Sequence, residues 1–246
     1  MSDRRRSAEV GGRLPAGISA FFPAHNEEGN VETTVRNAVD VLSALGVPFE
    51  VIVVDDGSID GTADVVLRLQ REDPRVRLVR HDRNRGYGAA LRTGFAAARH
   101  EWVFFSDADA QFDLREIGRL LPQTHKADVV VGYRLRRRDP FHRKLFGRMW
   151  NLLVRALFGL RVRDIDCAFK LLRRSLVADL PLRSEGAFVS TELLCRLSHR
   201  GARIMEVGVS HYPRRWGKPS GGNPRVVLRA FLELWRLRAE LRPRAS

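Results

Sequence analysis

The sequence predicts an α/β fold, a mostly parallel central sheet flanked by helices, with amphipathic helices added towards the C-terminal end. Three observations predict it. Apolar runs alternate with helical patterns five times along residues 17–134, the signature of parallel strands joined by crossover helices. The best of these runs are β-branched and unbroken rather than alternating, as strands covered on both faces are. Polar residues gather just after the runs, where open α/β sheets bind ligands.

Each element has its own justification. Residues 17–23 (GISAFFP) are apolar and bounded by Gly and Pro, and a helical period follows over 28–45. FEVIVVDDGS carries the second strand, and DGTADVVLRLQRE the second helix, with Asp60, Thr62 and Asp64 at its start. RVRLVRH alternates like a third strand, and GYGAALRTGFAAARH is a helix of small residues. EWVFFSD is the fourth strand, LREIGRLLP a helix, and KADVVVGYR the fifth strand. Residues 136–160 hold a helix of another kind. Lys144, Arg148, Asn151 and Arg155 make one polar stripe beside Phe146, Met149, Trp150, Leu153, Leu157 and Phe158. A helix at about 224–241 repeats the theme, with Arg225, Arg229 and Arg236 opposite Val227, Leu228, Phe231, Leu234 and Trp235. Both are read either as core helices or as helices lying in a membrane interface. The expected organisation is a disordered basic arm over 1–15, one domain over 16–222, and an amphipathic basic tail over 223–246.

The chain has 246 residues with 43 Lys and Arg against 29 Asp and Glu, a net charge of +14 that attracts anionic partners. Aromatic residues are not interleaved with the basic runs as a stacking platform requires, so no nucleic acid is expected. Cys167 and Cys195 form no CxxC spacing and read as reduced thiols. No apolar run approaches the roughly 20 residues of a membrane span, nor does the N-terminus show a signal peptide. The expected location is the cytoplasm, peripheral to the membrane face.

Asp107 and Asp109 lie two apart at the end of the fourth strand. In extended backbone such residues face the same way, so both carboxylates can hold one cation. Oxygen donors without His or Cys select Mg²⁺ or Mn²⁺, whose shell is completed by water and substrate phosphates. Asp113 precedes LREIGRLL and reads as that helix's cap. Asp55 and Asp56 are either a turn and cap or acceptors for a nucleobase or ribose. Gly86 and Gly88 open a helix whose N-terminus suits phosphate.

These residues carry a resemblance. FFPAHNEEGNV, VIVVDDGSIDGT, NRGYGAALRTGF, FSDADAQFD, VVGYR and DIDCAFKLLRR stand in the order and spacing of family 2 glycosyltransferases of the GT-A fold. SEGAFVSTELLCRL and VGVSHYPRRWGKPSGG resemble the polyprenyl-phosphate branch, similar to dolichyl-phosphate mannosyltransferase. The resemblance covers about residues 17–238. It implies transfer of a hexose from a nucleotide sugar of the GDP-mannose or UDP-glucose type to a polyprenyl phosphate, beside an anionic membrane surface. A soluble or natural-product hydroxyl acceptor is the alternative. It implies that Pro23, His25, Asn26, Glu27, Val54, Asp55 and Asp56 line the nucleotide. Asp107, Ala108, Asp109 and Gln111 are implied at the metal and diphosphate, and Arg134, Arg214 and Lys218 at phosphates. Asp164, Asp166, Lys170 and Glu192 are implied around the sugar or acceptor.

The sequence departs from the family pattern at His25, where Tyr is frequent, and after Arg214, where the last basic position is shifted. Many bacterial members carry membrane-spanning helices after this domain and this sequence stops without them, which leaves open both a soluble acceptor and a separate membrane-spanning partner. Chemistry favours a phosphate acceptor independently of the resemblance. A phosphate monoester is mostly dianionic at neutral pH and needs cations, where a hydroxyl needs a carboxylate base. Lys170, Arg134, Arg214, Arg215 and Arg136 to Arg138 can supply the cations.

Overall fold

In the computed structural model, β1 (Ile18–Ala24) and β2 (Phe49–Asp55) are buried at every position, which explains their unbroken apolar sequences. The structure describes residues 15–135, 141–213, 216 and 224–241, with the side chains of 141–146 and 224–228 excepted. Residues 1–14 of the expected arm over 1–15, Arg136 to Arg138, Arg214, Arg215 and Lys218 lie outside the described residues.

The sheet has seven strands in the order β3-β2-β1-β4-β6-β5-β7. β3 is Val76–Arg80, β4 is Trp102–Ser106, β5 is Val129–Arg134, β6 is Phe169–Arg173 and β7 is Ile204–Val209. β1, β2, β3 and β4 pair in parallel, as the alternation predicts. The fifth predicted strand does not lie against the fourth. β6 inserts between them and runs antiparallel to both. Its residues belong to DIDCAFKLLRR, which follows a long helical excursion, so nothing local announced its partners. β7 adds a parallel edge to β5.

Strand residues of alternate parity serve the two faces. Ala20, Phe22, Val51, Val53, Phe104 and Val130 face α1 (Glu28–Ala44) and α2 (Thr62–Glu72). Phe21, Ile52, Val54, Phe105 and Val131 face α3 (Tyr87–Ala97), α5 (Phe141–Phe158), α7 (Val189–His199) and α8 (Pro224–Glu240). The helix expected over LREIGRLLP is broken into a 3₁₀ turn (Leu114–Glu116), a single α turn α4 (Ile117–Leu120) and a second 3₁₀ turn (Leu121–Gln123). A further short turn, α6 (Arg174–Val177), follows β6.

The two amphipathic helices divide their apolar residues. On α5, Val154 is buried and Trp150, Leu153, Leu157 and Phe158 pack on the core, while Met149 and Leu152 are 58% and 68% exposed. On α8, Leu234 and Leu237 are buried, whereas Leu232 and Trp235 are 54% and 56% exposed. Trp150 and Phe231 meet edge to face with centroids 5.5 Å apart, which joins the two helices. Each helix thus docks on the protein and still presents an apolar ridge. Among the described residues, no helix is long and apolar enough to cross a membrane.

Candidate active site

The carboxyl ends of β1 and β2 are stitched together before any ligand is considered. Asn26, at a φ of 54°, donates its backbone N–H to Ser58 Oγ (2.9 Å) and accepts from Ile59 N–H (3.0 Å). Glu27 N–H donates to Thr62 Oγ1 and Gly61 N–H to Glu28 Oε2. His25 is exposed, with Nδ1 3.0 Å from the Asp56 carbonyl. Glu27 is buried and accepts from Asn30 Nδ2. Pro23 and Val54 are paired core residues. The Val54 side chain packs among Phe21, Ile52 and Leu91, so of the nucleotide-lining residues implied above it can offer only backbone.

Asp55 and Asp56 separate into two roles. Asp56 accepts from Arg85 N–H (2.9 Å) and Gly86 N–H (2.8 Å), and its Oδ1 lies 2.6 Å from His81 Nδ1. It holds the chain in position at the start of α3. Asp55 Oδ1 accepts from Ser58 N–H, whereas its Oδ2 is buried without a hydrogen-bond partner. Arg80 Nε stands 3.1 Å from that oxygen but off the hydrogen-bonding direction. An open groove of about 1030 Å³ lined by His25, Asn26, Ser58, Arg80 and Arg83 adjoins this end of β2. Asp55 is therefore the better placed of the two to receive an N–H donor.

β4 ends at Ser106, and Ala108 and Asp109 form a turn closed by Ala110 at a φ of 56°. Asp109 is thus carried by a turn while Asp107 directly follows the strand, so the two do not share one run of strand, a correction to the alternation argument. Asp109 is buried and accepts from Gln111 N–H (3.2 Å). Asp107 Oδ1 accepts from the Tyr87 hydroxyl (2.9 Å). Ala108 points into the core and its carbonyl accepts from Thr34 Oγ1. The Gln111 amide nitrogen donates to the Tyr212 carbonyl, fixing that side chain beside the segment that leads to Arg214. Asp113 caps a 3₁₀ turn through Arg115 N–H and pairs with Arg115, outside any metal role. A polar cavity of about 180 Å³ runs under the turn, bordered by Asn30, Thr34, Asn37, Asp107 and the buried, unpartnered Ser106 Oγ.

Arg134 and Asp164 form a two-pronged pair, Nε to Oδ2 at 2.7 Å and a second nitrogen to Oδ1 at 2.8 Å. Burial opposes the arginine's charge, but the Asp164 carboxylate outweighs it and raises the guanidinium above its usual range. Asp166 is exposed on the same loop. Lys170 is fully buried and donates to the Ile165 and Cys167 carbonyls, so it braces the loop that carries Asp164 and Asp166. Burial pulls its pKa down, while Cys167 and the three nearby aspartates pull it back up. Burial pushes the Cys167 thiol up to about 12.

Glu192, implied at the sugar or acceptor, does other work. It accepts from the backbone N–H groups of Arg183 and Ser184 and pairs with buried Arg196. Its carboxylate is spent on anchoring the 183–185 loop. The start of α3 is likewise taken. Gly86 N–H goes to Asp56 and Gly88 N–H to the Glu185 carbonyl, so it offers no open phosphate cradle. Tyr87 was the residue that sequence reasoning passed over. Its signal was a lone phenol between two glycines at a helix start.

Asp107, Asp109 and the Gln111 oxygen make an all-oxygen donor set. Among the described residues no three His, Cys, Asp or Glu side chains converge as a complete metal cage. Two carboxylates without a cage fit a divalent ion that fills its shell with water and a diphosphate.

The sequence model of the family described as "Glycosyl transferase family 2" matches residues 19–180. The chain is 33% identical over 207 residues to "Glycosyltransferase AglD" of Haloferax volcanii, covering 80% of this chain and 33% of that protein. It is 29% identical over 202 residues to the undecaprenyl-phosphate 4-deoxy-4-formamido-L-arabinose transferase of Salmonella typhimurium, covering 81% of this chain and 61% of that one. The chain therefore spans less than two thirds of either relative. Crystal structures of glucosyl-3-phosphoglycerate synthase from Mycobacterium tuberculosis share the fold. The complex with Mg²⁺ and UDP has a TM-score of 0.70 at 23% identity, covering 93% of this chain and 81% of that one. The complex with Mn²⁺, UDP-glucose and phosphoglyceric acid has a TM-score of 0.69 at the same identity and coverage. A family match over most of the chain, on a sheet whose strand ends carry the DxD turn and the β1 and β2 loops, places this chain in glycosyltransferase family 2.

Proposed function

We propose that the chain transfers a hexose, mannose or glucose, from a nucleoside-diphosphate sugar to a polyprenyl phosphate, with inversion, at the cytoplasmic face of a membrane. The observation that supports this best is the grouping at the strand ends of Asp55, the last residue of β2, Asp107 and Asp109 just after β4, and the pair of Asp164 with Arg134, the last residue of β5. Asp55 and the β1–α1 loop would receive the base and ribose. Asp107, Asp109 and Gln111 would hold Mg²⁺ or Mn²⁺, which when bound offsets the charge of the departing diphosphate. Arg134, held by Asp164, would stand at the border where an anionic acceptor must approach, while the buried Lys170 braces the loop behind it through the Ile165 and Cys167 carbonyls. Arg214 and Lys218 remain proposals for phosphate contacts.

The acceptor reading rests on two further points. Two of the three candidate bases, Asp164 and Glu192, are committed to ion pairs, which suits a nucleophile that needs no base. The apolar ridges of α5 and α8 lie beside Arg148, Arg155 and Arg236, a pairing suited to an anionic lipid surface. A hydroxyl acceptor is the second reading, with Asp166 as its candidate base.

Supplying Mn²⁺, UDP-glucose or GDP-mannose, and either a short polyprenyl phosphate or a panel of sugar alcohols decides between them. Turnover with the lipid phosphate is expected, and its loss in Asp109→Ala. Turnover with the alcohols alone would overturn the first reading.

A further inference from the structure

Tyr87 sits where the two halves of the candidate donor site meet. Its neighbours Arg85 and Gly86 give their backbone N–H groups to Asp56 at the end of β2. Its own hydroxyl gives its proton to Asp107 Oδ1 at the end of β4, 2.9 Å away. One short stretch of chain therefore touches a carboxylate on the base side and one on the diphosphate side.

That stretch is clamped. A side-chain carbon placed on Gly88 would lie 1.9 Å from the Ser184 carbonyl oxygen, and one on Gly86 would lie 2.5 Å from that of Glu185. Gly88 N–H donates to the Glu185 carbonyl (2.8 Å), and Arg92 reaches the Ser184 carbonyl (2.8 Å). The glycines let the 183–185 loop press directly on the backbone either side of Tyr87. The ring packs against the core face that holds Phe21, Leu91 and Phe105, so the phenol has little freedom to swing away.

We infer that Tyr87 is a positioning residue for the metal–diphosphate site. It fixes one oxygen of Asp107 and so sets how that carboxylate is presented to a divalent cation. A hydroxyl that donates to a metal-ligating carboxylate orients it, and losing such a partner typically costs about 10–100-fold in metal affinity. The inference rests on the donor-site reading given above.

Tyr87→Phe removes one oxygen and keeps the ring. The probes are UDP and GDP, titrated by calorimetry with and without Mn²⁺, into wild type, Tyr87→Phe and Asp109→Asn. Tyr87→Phe is expected to weaken Mn²⁺-dependent nucleotide binding about tenfold. Its metal-free nucleotide affinity and its melting curve should stay near wild type. A general loosening of the fold would lower both affinities together. Wild-type Mn²⁺ dependence that persists unchanged in Tyr87→Phe, or an equal loss with and without metal, overturns the positioning role. Asp109→Asn serves as the separate control. If wild type shows no metal-dependent binding that Asp109→Asn abolishes, the donor-site reading fails and this inference falls with it.

Discussion

Glu192 and Arg196 show how a buried charge constrains a single position. Arg196 is 5% exposed and Glu192 3%. Removing Glu192 leaves Arg196 with Glu240 alone and strands the N–H groups of Arg183 and Ser184, each buried donor left unpaired costing about 1–3 kcal/mol. Glu192→Ala is therefore expected to lower the urea midpoint steeply, and a change under 1 kcal/mol would contradict the pairing. The cysteines make a pH-dependent case. Burial pushes Cys195 up to about 12 from an ordinary 9. Between those values the unfolded thiol ionises and the folded one does not, so the unfolded state binds fewer protons and stability falls as pH rises. Cys195→Ala should flatten the decline in urea midpoint between pH 8.5 and 10.5, and parallel slopes would refute it. At this scale much was legible. Asp113 was visible as a cap from its place before a helical run, and Asp107 and Asp109 as a pair of carboxylates at a strand end. The Tyr87–Asp107 contact and the anchoring contacts of Glu192 were not, because they depend on partners that the fold delivers from elsewhere in the chain.

Within elements, α8 separates two kinds of leucine two residues apart, on opposite sides of the helix. Leu234 is fully buried and Leu232 is half exposed. Leu234→Ala is expected to cost about 2–5 kcal/mol. Leu232→Ser together with Trp235→Ser should leave the melting temperature close to wild type while weakening co-sedimentation with phosphatidylglycerol vesicles. Undiminished vesicle binding would remove α8 from the interface. The sequence pattern of α8 gave an apolar side and a basic side, but it could not say which apolar residues the protein keeps for its own core. That depends on α7 and on the 183–185 loop, neither of which has a periodic relation to α8.

For the whole molecule, the sheet order explains both the success and the limit of the sequence reading. Strands β1 to β4 follow one another with crossover helices and were readable from the alternation of runs. β6 lies between β4 and β5, antiparallel to both, and its partners are set by tertiary packing that no local period records. A ligand that binds only the folded state stabilises it by about 2.7 kcal/mol at a hundredfold excess over Kd. The correct nucleoside diphosphate with Mn²⁺ is therefore expected to raise Tm by several degrees. A panel in which no nucleotide raises Tm would speak against a preformed donor site.

The 183–185 loop is held from two directions. On one side its carbonyls grip the start of α3. On the other, Ser184 Oγ donates to Glu233, Arg229 pairs with Glu185, and Arg196 ties Glu192 to Glu240. Two binding events that each tighten this shared clasp must favour one another by the same factor, because coupled equilibria are reciprocal. Vesicle affinity measured with and without nucleotide would then read the donor site from the far end of the chain, and equal affinities would show the clasp to be inert. In that sense the last helix is less a tail than the second hand on one hinge pin.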